Sequence, residues 1–300
     1  MDERNVLATH GGVFHGDEVF AVAIIQLAFK KAKAIKIIRT RHKSTVEKAW
    51  MAVDVGEKHN GIDRFDHHQE GGAGSRKVRV DNTEVQIPYS SAGLVWKSYG
   101  IPAIEQVLQM HYPGEDFRDD LEAIINSVDR RLIASLDAED CGLKNEAAAY
   151  PYFGISAVIS GFNRIRHGKN VQDKAFFRAL KVAENILENQ ILFSARSQRG
   201  RRITAEAPRT THGICTVAHL PEFCLDWQSV EGVDAVLYPG EDLGPFVLRM
   251  RDTHMIPTST DPEVEFQNGS LAGSRHASCL LRLAETVVLR PLPLAKGESE

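Results

Sequence analysis

Met51-Ala52-Val53-Asp54-Val55-Gly56 is an apolar run interrupted by one acidic residue, Asp54. A continuous apolar run of this length is typical of a strand that is buried on both faces of a parallel sheet. A carboxylate in such a strand is costly to bury unless it is paired or bound to a metal ion. The run therefore predicts a parallel sheet, and it predicts that Asp54 has a partner.

The segments before this run alternate between strand and helix patterns. Residues 5–9 and 35–39 resemble short buried strands, whereas residues 17–33 carry apolar side chains at helical spacing. Residues 45–50 have the length of a short helix. Because successive β–α units build parallel sheets, we expect an α/β fold whose N-terminal domain has a mainly parallel sheet flanked by helices.

Histidines and carboxylates stand where these strands give way to loops. Reacting groups in open parallel sheets collect beyond the carboxyl ends of the strands, so we expect these side chains to converge. They are His10, His15, Asp17, Glu18, Asp54 and the triplet Asp66-His67-His68. The set is the ligand inventory of a two-metal hydrolytic site, in which ions about 3.5–4 Å apart share a bridging carboxylate. Asp54 is our choice for the bridge, since it is the only acid on the central strand.

Imidazoles and carboxylates without thiolates exclude a soft-metal or structural zinc cluster and suit manganese, magnesium, cobalt, iron or catalytic zinc. Taken singly, some of these residues have simpler explanations. Asp54 could cap a turn, and His10 could be a core histidine with satisfied hydrogen bonds. Glu18 is equally compatible with a first-turn helix acid and with a role in holding the metal ligands. Their coincidence with the Asp66 triplet favours the metal site.

Composition describes a soluble globular protein, with 300 residues, 43% hydrophobic and 25% charged. No stretch has the roughly 18 consecutive apolar residues of a membrane span, and the amino terminus lacks signal-peptide character, so we expect a cytoplasmic protein with no membrane partner. A net charge of −4 argues against coating nucleic acid by bulk charge. Four widely spaced cysteines predict neither a disulfide framework nor a zinc ribbon.

The helical periodicity of residues 171–197 predicts a connector between two domains. We therefore expect a metal-binding catalytic domain at 1–168, a connecting helix at 169–202 and a smaller α/β substrate-binding domain at 203–300. In the last of these, strand-like runs are followed by a helix at about 274–287. The strand-like runs are residues 203–207, 213–218, 235–238 and 245–250.

Two further segments of the first domain bear on the site. Residues 69–82 combine three glycines with basic residues and predict a mobile surface loop, in which Arg76 could contact an anionic substrate. Residues 116–133 have the periodicity of one long helix, and Asp129 lies on its apolar face.

Four motifs contain or adjoin these residues. They are Ala8-Thr9-His10-Gly11-Gly12-Val13-Phe14-His15-Gly16-Asp17-Glu18, Val53-Asp54-Val55-Gly56, Phe65-Asp66-His67-His68-Gln69 and Ser91-Ala92-Gly93-Leu94-Val95-Trp96. Together they closely resemble the MYG family, which belongs to the DHH phosphoesterase superfamily. The superfamily's first motif is His-x-x-x-Asp-x-Asp, whereas here His15 stands near the first aspartate's place and the spacing is one residue longer. The resemblance is strong for residues 5–100, extends to Asp129 and weakens past residue 200.

The resemblance implies a DHH-type catalytic domain and two divalent metal ions. Manganese is the metal that the family suggests, with magnesium, cobalt or zinc as alternatives. Asp66 would orient the neighbouring histidine, and His68 would face the substrate phosphate or the leaving oxygen. The nucleophile would be a metal-bridging hydroxide. The implied ligands are His10, His15 and Asp54 for one ion, and Asp17, Asp54, His67 and Asp129 for the other.

A glycine-rich segment near the C terminus, residues 268–276, is similar to the substrate-binding segment of DHH-associated domains. Its backbone amides at Gly273 and Ser274, together with Arg275, would receive a phosphate. The alternative is an ordinary turn and helix cap. The segment departs from the MYG pattern, because no histidine precedes the glycines and no Leu-Pro…Trp stretch lies between residues 250 and 267.

The function expected from these features is a manganese-dependent phosphodiesterase, a 3′-to-5′ exoribonuclease that acts on RNA or short oligonucleotides. One alternative is a small-molecule phosphohydrolase acting on pyrophosphate, a nucleotide or a cyclic dinucleotide. Another is a non-catalytic protein that binds metal or nucleic acid. The sequence is compatible with a homodimer and does not fix the oligomeric state.

Overall fold

The computed structural model describes residues 5–32, 34–80, 83–143, 153–217, 226–240, 245–251, 263–268 and 271–288. The chain divides into two compact units, Met1–Ser194 and Ala195–Glu300. The division lies within one long helix, Lys169–Glu206.

The first unit contains a parallel sheet flanked by helices, which confirms the predicted α/β class. Four strands pair in the order β2-β1-β3-β4, all parallel. They are β1 (Val6–Thr9), β2 (Lys36–Arg39), β3 (Met51–Val53) and β4 (Arg64–Phe65). A separate antiparallel hairpin joins β5 (Ser75–Val80) to β6 (Thr83–Pro88). The helices are α1 (Gly16–Ala28), α2 (Lys43–Lys48), α3 (Ser91–His111), α4 (Leu121–Val128), α5 (Ala134–Asp140), α6 (Ile155–Ser160) and α7 (Lys169–Glu206).

The central strands and α1 form the core of this unit. All residues of β1 and β3 are buried, and α1 is buried on nearly all sides because α3 and α6 also pack against it. Since the four strands are parallel, their carboxyl ends lie at one edge of the sheet. His10, Asp54 and Asp66 each follow directly after one of these strands, so the topology delivers them to the same edge.

Several local predictions were wrong. Residues 69–82 were expected to form a loop, but residues 75–80 form β5, in which Arg76 is buried. The helix expected over 116–133 is broken by a 3-10 turn at Arg118–Asp120 and by a π-helical turn at Asp129–Ile133. The strand expected at 203–207 is instead the end of α7, which continues to Glu206.

A buried group of polar side chains, which we call the Asp137 cluster, joins the hairpin, α3 and α5. The carboxylate of Asp137 accepts hydrogen bonds from the backbone N–H groups of Ser90 and Gly93, each at 3.0 Å. The guanidinium of Arg76 forms ion pairs with both Asp137 and Asp129. Burial raises the pKa of Asp137 to about 6, although the Arg76 charge and the Ser90 hydrogen bonds act in the opposite direction. The cluster therefore holds three elements together through one carboxylate.

The described part of the second unit contains a five-stranded sheet, on which a C-terminal helix packs. The strand order is β10-β11-β9-β8-β7, in which β7 and β8 are parallel and the other pairs are antiparallel. Leu280 and Ala284 of the helix are buried against Leu237 and Leu248 of the sheet. The elements are β7 (Ile214–Thr216), β8 (Ala235–Pro239), β9 (Phe246–Met250), β10 (Val264–Asn268), β11 (Leu271–Ser274) and α8 (Ala277–Val288).

Among the described residues, no helix combines the length and the apolar character needed to cross a membrane.

Replacing Gly93 with alanine tests the Asp137 cluster. Alanine ordinarily favours a helix over glycine by about 1 kcal/mol. Here a Cβ atom on residue 93 would overlap the Asp137 carboxylate and the Arg76 guanidinium. We expect Gly93→Ala to lower the free energy of unfolding by roughly 2 kcal/mol, as overpacking of a core does. Urea unfolding followed by circular dichroism measures this, with Lys97→Ala on the exposed side of the same helix as control. A urea midpoint of Gly93→Ala at or above that of Lys97→Ala would show that alanine fits at residue 93 without a clash.

Candidate metal centre

The edge of the parallel sheet gathers most of the predicted ligands around Asp54. The Oδ2 atom of Asp54 lies 3.1 Å from Nε2 of His10, and its Oδ1 atom lies 3.5 Å from Nε2 of His67. Nε2 of His67 lies 3.9 Å from Oδ2 of Asp17, which belongs to the first turn of α1. Asp17 and Asp54 are 1% and 4% exposed, so two carboxylates are buried next to each other.

The backbone at Asp54 has a left-handed conformation, with φ of 55°. This conformation is uncommon for residues other than glycine, asparagine and aspartate, and here it ends β3. The Asp54 N–H donates to the carbonyl of Phe65 at 2.9 Å, and the Ser91 hydroxyl donates to Asp54 Oδ1 at 3.0 Å. Contacts from β4 and α3 therefore fix the position of the carboxylate.

Asp66 orients His68 rather than His67. Its Oδ1 atom accepts hydrogen bonds from the backbone N–H of His68 at 3.1 Å and from Nδ1 of the same residue at 2.8 Å. Its Oδ2 atom accepts a hydrogen bond from the Glu57 N–H at 2.6 Å. The His68 side chain is 59% exposed, so Asp66 is a buried anchor for an imidazole that faces the open side of the site.

Glu18, whose role the sequence left open, lies within the cluster. Its side chain is buried, forms an ion pair with Nε2 of His10, and accepts a hydrogen bond from the His15 N–H at 3.3 Å. The last contact is part of the cap of α1. Both alternatives for Glu18 are therefore realised, because one carboxylate caps the helix and contacts a predicted ligand.

Asp140, at the end of α5, lies in the cluster although the sequence analysis did not single it out. Its Oδ2 atom is 3.2 Å from Nε2 of His67, and its Oδ1 atom is 4.0 Å from Nδ1 of His15. The available signal was the Asp137-x-x-Asp140 spacing, which places two carboxylates on one side of a helical turn. Asp137 belongs to the Asp137 cluster, and Asp140 reaches the metal centre.

The structure does not bring Asp129 into this set. Asp129 begins the π-helical turn, and its carboxylate is paired with Arg76. Arg76 is itself buried between Asp129 and Asp137, so in this arrangement its guanidinium is engaged by protein carboxylates and not presented to a substrate.

The electrostatics of the cluster are those of excess buried negative charge. Burial raises the pKa of Asp17, and the charges of Asp54 and Asp140 raise it further. Burial likewise raises the pKa of Glu18 to about 7. Burial alone would raise the pKa of Asp54, but hydrogen bonds from His10 and His67 hold it below its usual range.

His10 and His67 offset part of this charge. Burial would lower the pKa of His10, but contacts with Asp54 and Glu18 outweigh it and raise the pKa to about 10. Burial also opposes ionisation of His67, yet Asp140 and Asp54 raise its pKa to about 12. Without a metal ion, protons on these two imidazoles therefore compensate part of the negative charge of the carboxylates.

The donor set fits divalent metal ions. Both carboxylate oxygens of Asp17 are buried and lack a hydrogen-bond partner among the described residues, a costly arrangement that a cation would relieve. Five overlapping groups have ligand atoms within 4.8 Å of one another. They are His10, His15 and Glu18; Asp54, His67 and His68; His67, Asp140 and Cys141; His15, Asp17 and Asp140; and Asp17, Glu18 and Asp54.

The predicted phosphate-binding residues of the second unit surround the end of β11. Gly273 and Ser274 belong to this strand, and Arg275 follows it. The Ser274 hydroxyl donates to the Glu263 carbonyl at 2.6 Å and accepts a hydrogen bond from the His276 N–H at 3.1 Å. These contacts support the turn-and-cap alternative for Ser274.

Comparison with known proteins agrees with the resemblance seen in the motifs. The chain is 29% identical over 191 residues to an MYG1 protein of Saccharomyces cerevisiae. This match covers 60% of this chain and 53% of the relative. It is 29% identical over 235 residues to the MYG1 protein of Dictyostelium discoideum, and this match covers 73% of this chain and 67% of the relative. A mouse relative, named MYG1 exonuclease, is 30% identical over 156 residues, and this match covers 51% of this chain and 40% of the relative.

The chain spans about half the length of most of these curated relatives. No solved structure matches it. The model of the MYG1 exonuclease family, described as an uncharacterised protein family (UPF0160), matches residues 6–229, which include every residue of the metal centre. The chain therefore belongs to the MYG1 family.

Proposed function

We propose that the metal centre holds two divalent ions, and that the protein hydrolyses phosphodiester bonds and removes nucleotides from a 3′ end of RNA or of a short oligonucleotide. The observation that carries this proposal is the burial of Asp17 and Asp54 beside His67, with both Asp17 oxygens lacking a hydrogen-bond partner among the described residues. The exonuclease name of the mouse relative and the family's motifs support the choice of a nucleic-acid substrate. On this proposal the first unit is a DHH-type domain, and manganese is the favoured metal.

We assign the ligands to two groups that share Asp54, and the contacts within the cluster support this assignment. His10, His15 and Glu18 lie on one side of it. Asp17, His67 and Asp140 lie on the other, with Asp140 in the place that the resemblance gave to Asp129. Two ions bound there would supply Lewis acidity and would activate water near neutral pH.

The other groups of the site position the substrate and handle its protons. His68 faces the open side and is held by Asp66, so its imidazole can contact the phosphate or protonate the leaving oxygen. Ser91 holds the Asp54 carboxylate, and therefore keeps the shared ligand in place when charge develops on the substrate.

Removing the charge of the shared ligand tests the proposal. We expect Asp54→Asn to abolish manganese-dependent cleavage of 5′-labelled RNA while the circular dichroism spectrum stays unchanged, because the amide keeps the shape but cannot bridge two cations. Asp119→Asn, at an exposed position of the first unit, is the matched control. Full activity of Asp54→Asn would show that this site does not perform the reaction.

Comparing Asp140→Asn with Asp129→Asn tests the revised ligand set. We expect Asp140→Asn to weaken manganese binding at least tenfold, the lower end of what the loss of a partner in a metal site costs. Asp129→Asn should leave the affinity within about twofold and instead lower Tm, because it weakens the Arg76 ion pair. Isothermal titration calorimetry and thermal unfolding measure the two effects. The reverse pattern would restore Asp129 as a ligand.

The pKa values predict a pH dependence of metal binding. At pH 7 the imidazoles of His10 and His67 are protonated in the metal-free protein, because their pKa values are raised to about 10 and about 12. A metal ion must displace these protons, so affinity should rise with pH by about tenfold per pH unit for each proton released. Calorimetry at pH 6.5, 7.5 and 8.5, in buffers of different ionisation enthalpy, counts the protons. An affinity that does not change with pH would contradict this arrangement.

A further inference from the structure

A second cavity adjoins the metal centre. The first cavity, of about 390 Å³, is lined by predicted ligands together with Arg41. The second, of about 770 Å³, shares Arg41, Val55, Gly56 and Glu57 with it and extends away from the metal centre along the β3–β4 loop. We call this second cavity the basic groove. Both volumes lie in the range of ligand sites.

Two cations of the groove have no partner among the described residues. The side chains of Arg41 and Lys58 are exposed, and within the described part of the chain neither forms a hydrogen bond or an ion pair. The other cations there are engaged. Lys43 lies 3.9 Å from Glu47, and the Arg64 guanidinium donates to backbone carbonyls, including that of Ala49 at 3.1 Å.

The acids of the groove do not cancel this charge. Its lining contains four cations and two carboxylates, Glu47 and Glu57, and Glu47 already faces Lys43. Free cations beside a site that acts on phosphate are suited to a second anion, and arginine is the side chain best shaped to hold a phosphate. Arg41 lies at the junction, because it lines both cavities.

We propose that the basic groove binds the backbone phosphate next to the scissile one, through Arg41 and Lys58. This inference rests on the proposed function and narrows its substrate to a polynucleotide with at least two backbone phosphates. Pyrophosphate or a mononucleotide would occupy the first cavity alone. Since no phenylalanine, tyrosine or tryptophan lines the groove, it offers no surface on which a base would stack, and contacts to phosphate carry no sequence information.

The test compares two substrates in the full chain with manganese. One is a ten-nucleotide RNA, and the other is thymidine 5′-(4-nitrophenyl phosphate), which has one phosphodiester. For Arg41→Gln/Lys58→Gln, we expect kcat/KM for the RNA to fall at least tenfold, mainly through KM, and kcat/KM for the aryl ester to stay within about twofold. The dependence of KM on salt should also weaken, because fewer phosphates are neutralised.

Two control variants show whether position and guanidinium shape matter. Lys30→Gln removes one positive charge just beyond the end of α1, which lies at the opposite edge of the sheet from the candidate metal centre. It should not change either rate. Arg41→Lys keeps the charge and should retain most of the RNA turnover. A kcat/KM for the RNA that is unchanged in the double variant would overturn the proposal. An equal loss of kcat/KM on both substrates would overturn it as well.

A binding measurement separates failure of the groove from failure of the proposed function. If the wild-type protein cleaves neither substrate, the proposed function fails. Fluorescence anisotropy of the labelled RNA, in the same manganese buffer, then still tests the groove. At least tenfold weaker binding by the double variant than by Lys30→Gln would support it, and equal binding would overturn it.

Discussion

The metal centre is governed by one constraint, which is that adjacent buried carboxylates need positive charge between them. Asp17 and Asp54 lie at the same edge of a parallel sheet and are almost completely shielded from water. Such charges cannot remain unneutralised in a medium of low polarity. Protons on His10 and His67 satisfy the requirement in the metal-free protein, as their raised pKa values indicate. Metal ions would also satisfy it, so the same packing that makes the carboxylates costly to bury would favour the binding of cations at this site.

The Asp137 cluster positions one side of the candidate metal centre, which is the side that contains Asp140. Asp137 and Asp140 are one helical turn apart on α5, so whatever fixes the first also positions the second. Asp137 is fixed by the start of α3 and by Arg76 of the hairpin. Ser91, also at the start of α3, holds Asp54. The beginning of this one helix therefore links both sides of the metal centre, although none of its residues belongs to the predicted ligands.

The sequence predicted the features that depend on the parallel strands. It did not predict the interruption of the helix over residues 116–133, or which acid reaches the cluster beyond it. Apolar runs ending at His10 and Asp54 were enough to predict a parallel sheet and convergence at its carboxyl edge, where the triplet that begins at Asp66 was also expected. Regular periodicity over 116–133 placed Asp129 on an inward face, but a π-helical turn contains an extra residue and shifts the phase of all that follows. Asp129, with which the turn begins, pairs with Arg76 of the hairpin, and Asp140, which follows the turn, reaches the cluster instead. Arg76 was expected in a surface loop because glycines precede it, whereas pairing with a neighbouring strand, which is not local in sequence, buries it.

Charge also sets the order in which ligands can enter the site. A phosphodiester approaching Asp17, Asp54 and Asp140 without metal ions would meet carboxylates buried in the wall of the cavity. Protonated His10 and His67 reduce this repulsion, but the carboxylates that they already contact compensate their positive charge. If the site holds two divalent ions, as we propose, they would reverse the sign locally, because their charge exceeds that of the two protons that they would replace. Arg41 would extend that positive region beyond the candidate metal centre, since it lines the same cavity without a carboxylate partner among the described residues. On the proposed function, metal ions would therefore favour the binding of an anionic substrate.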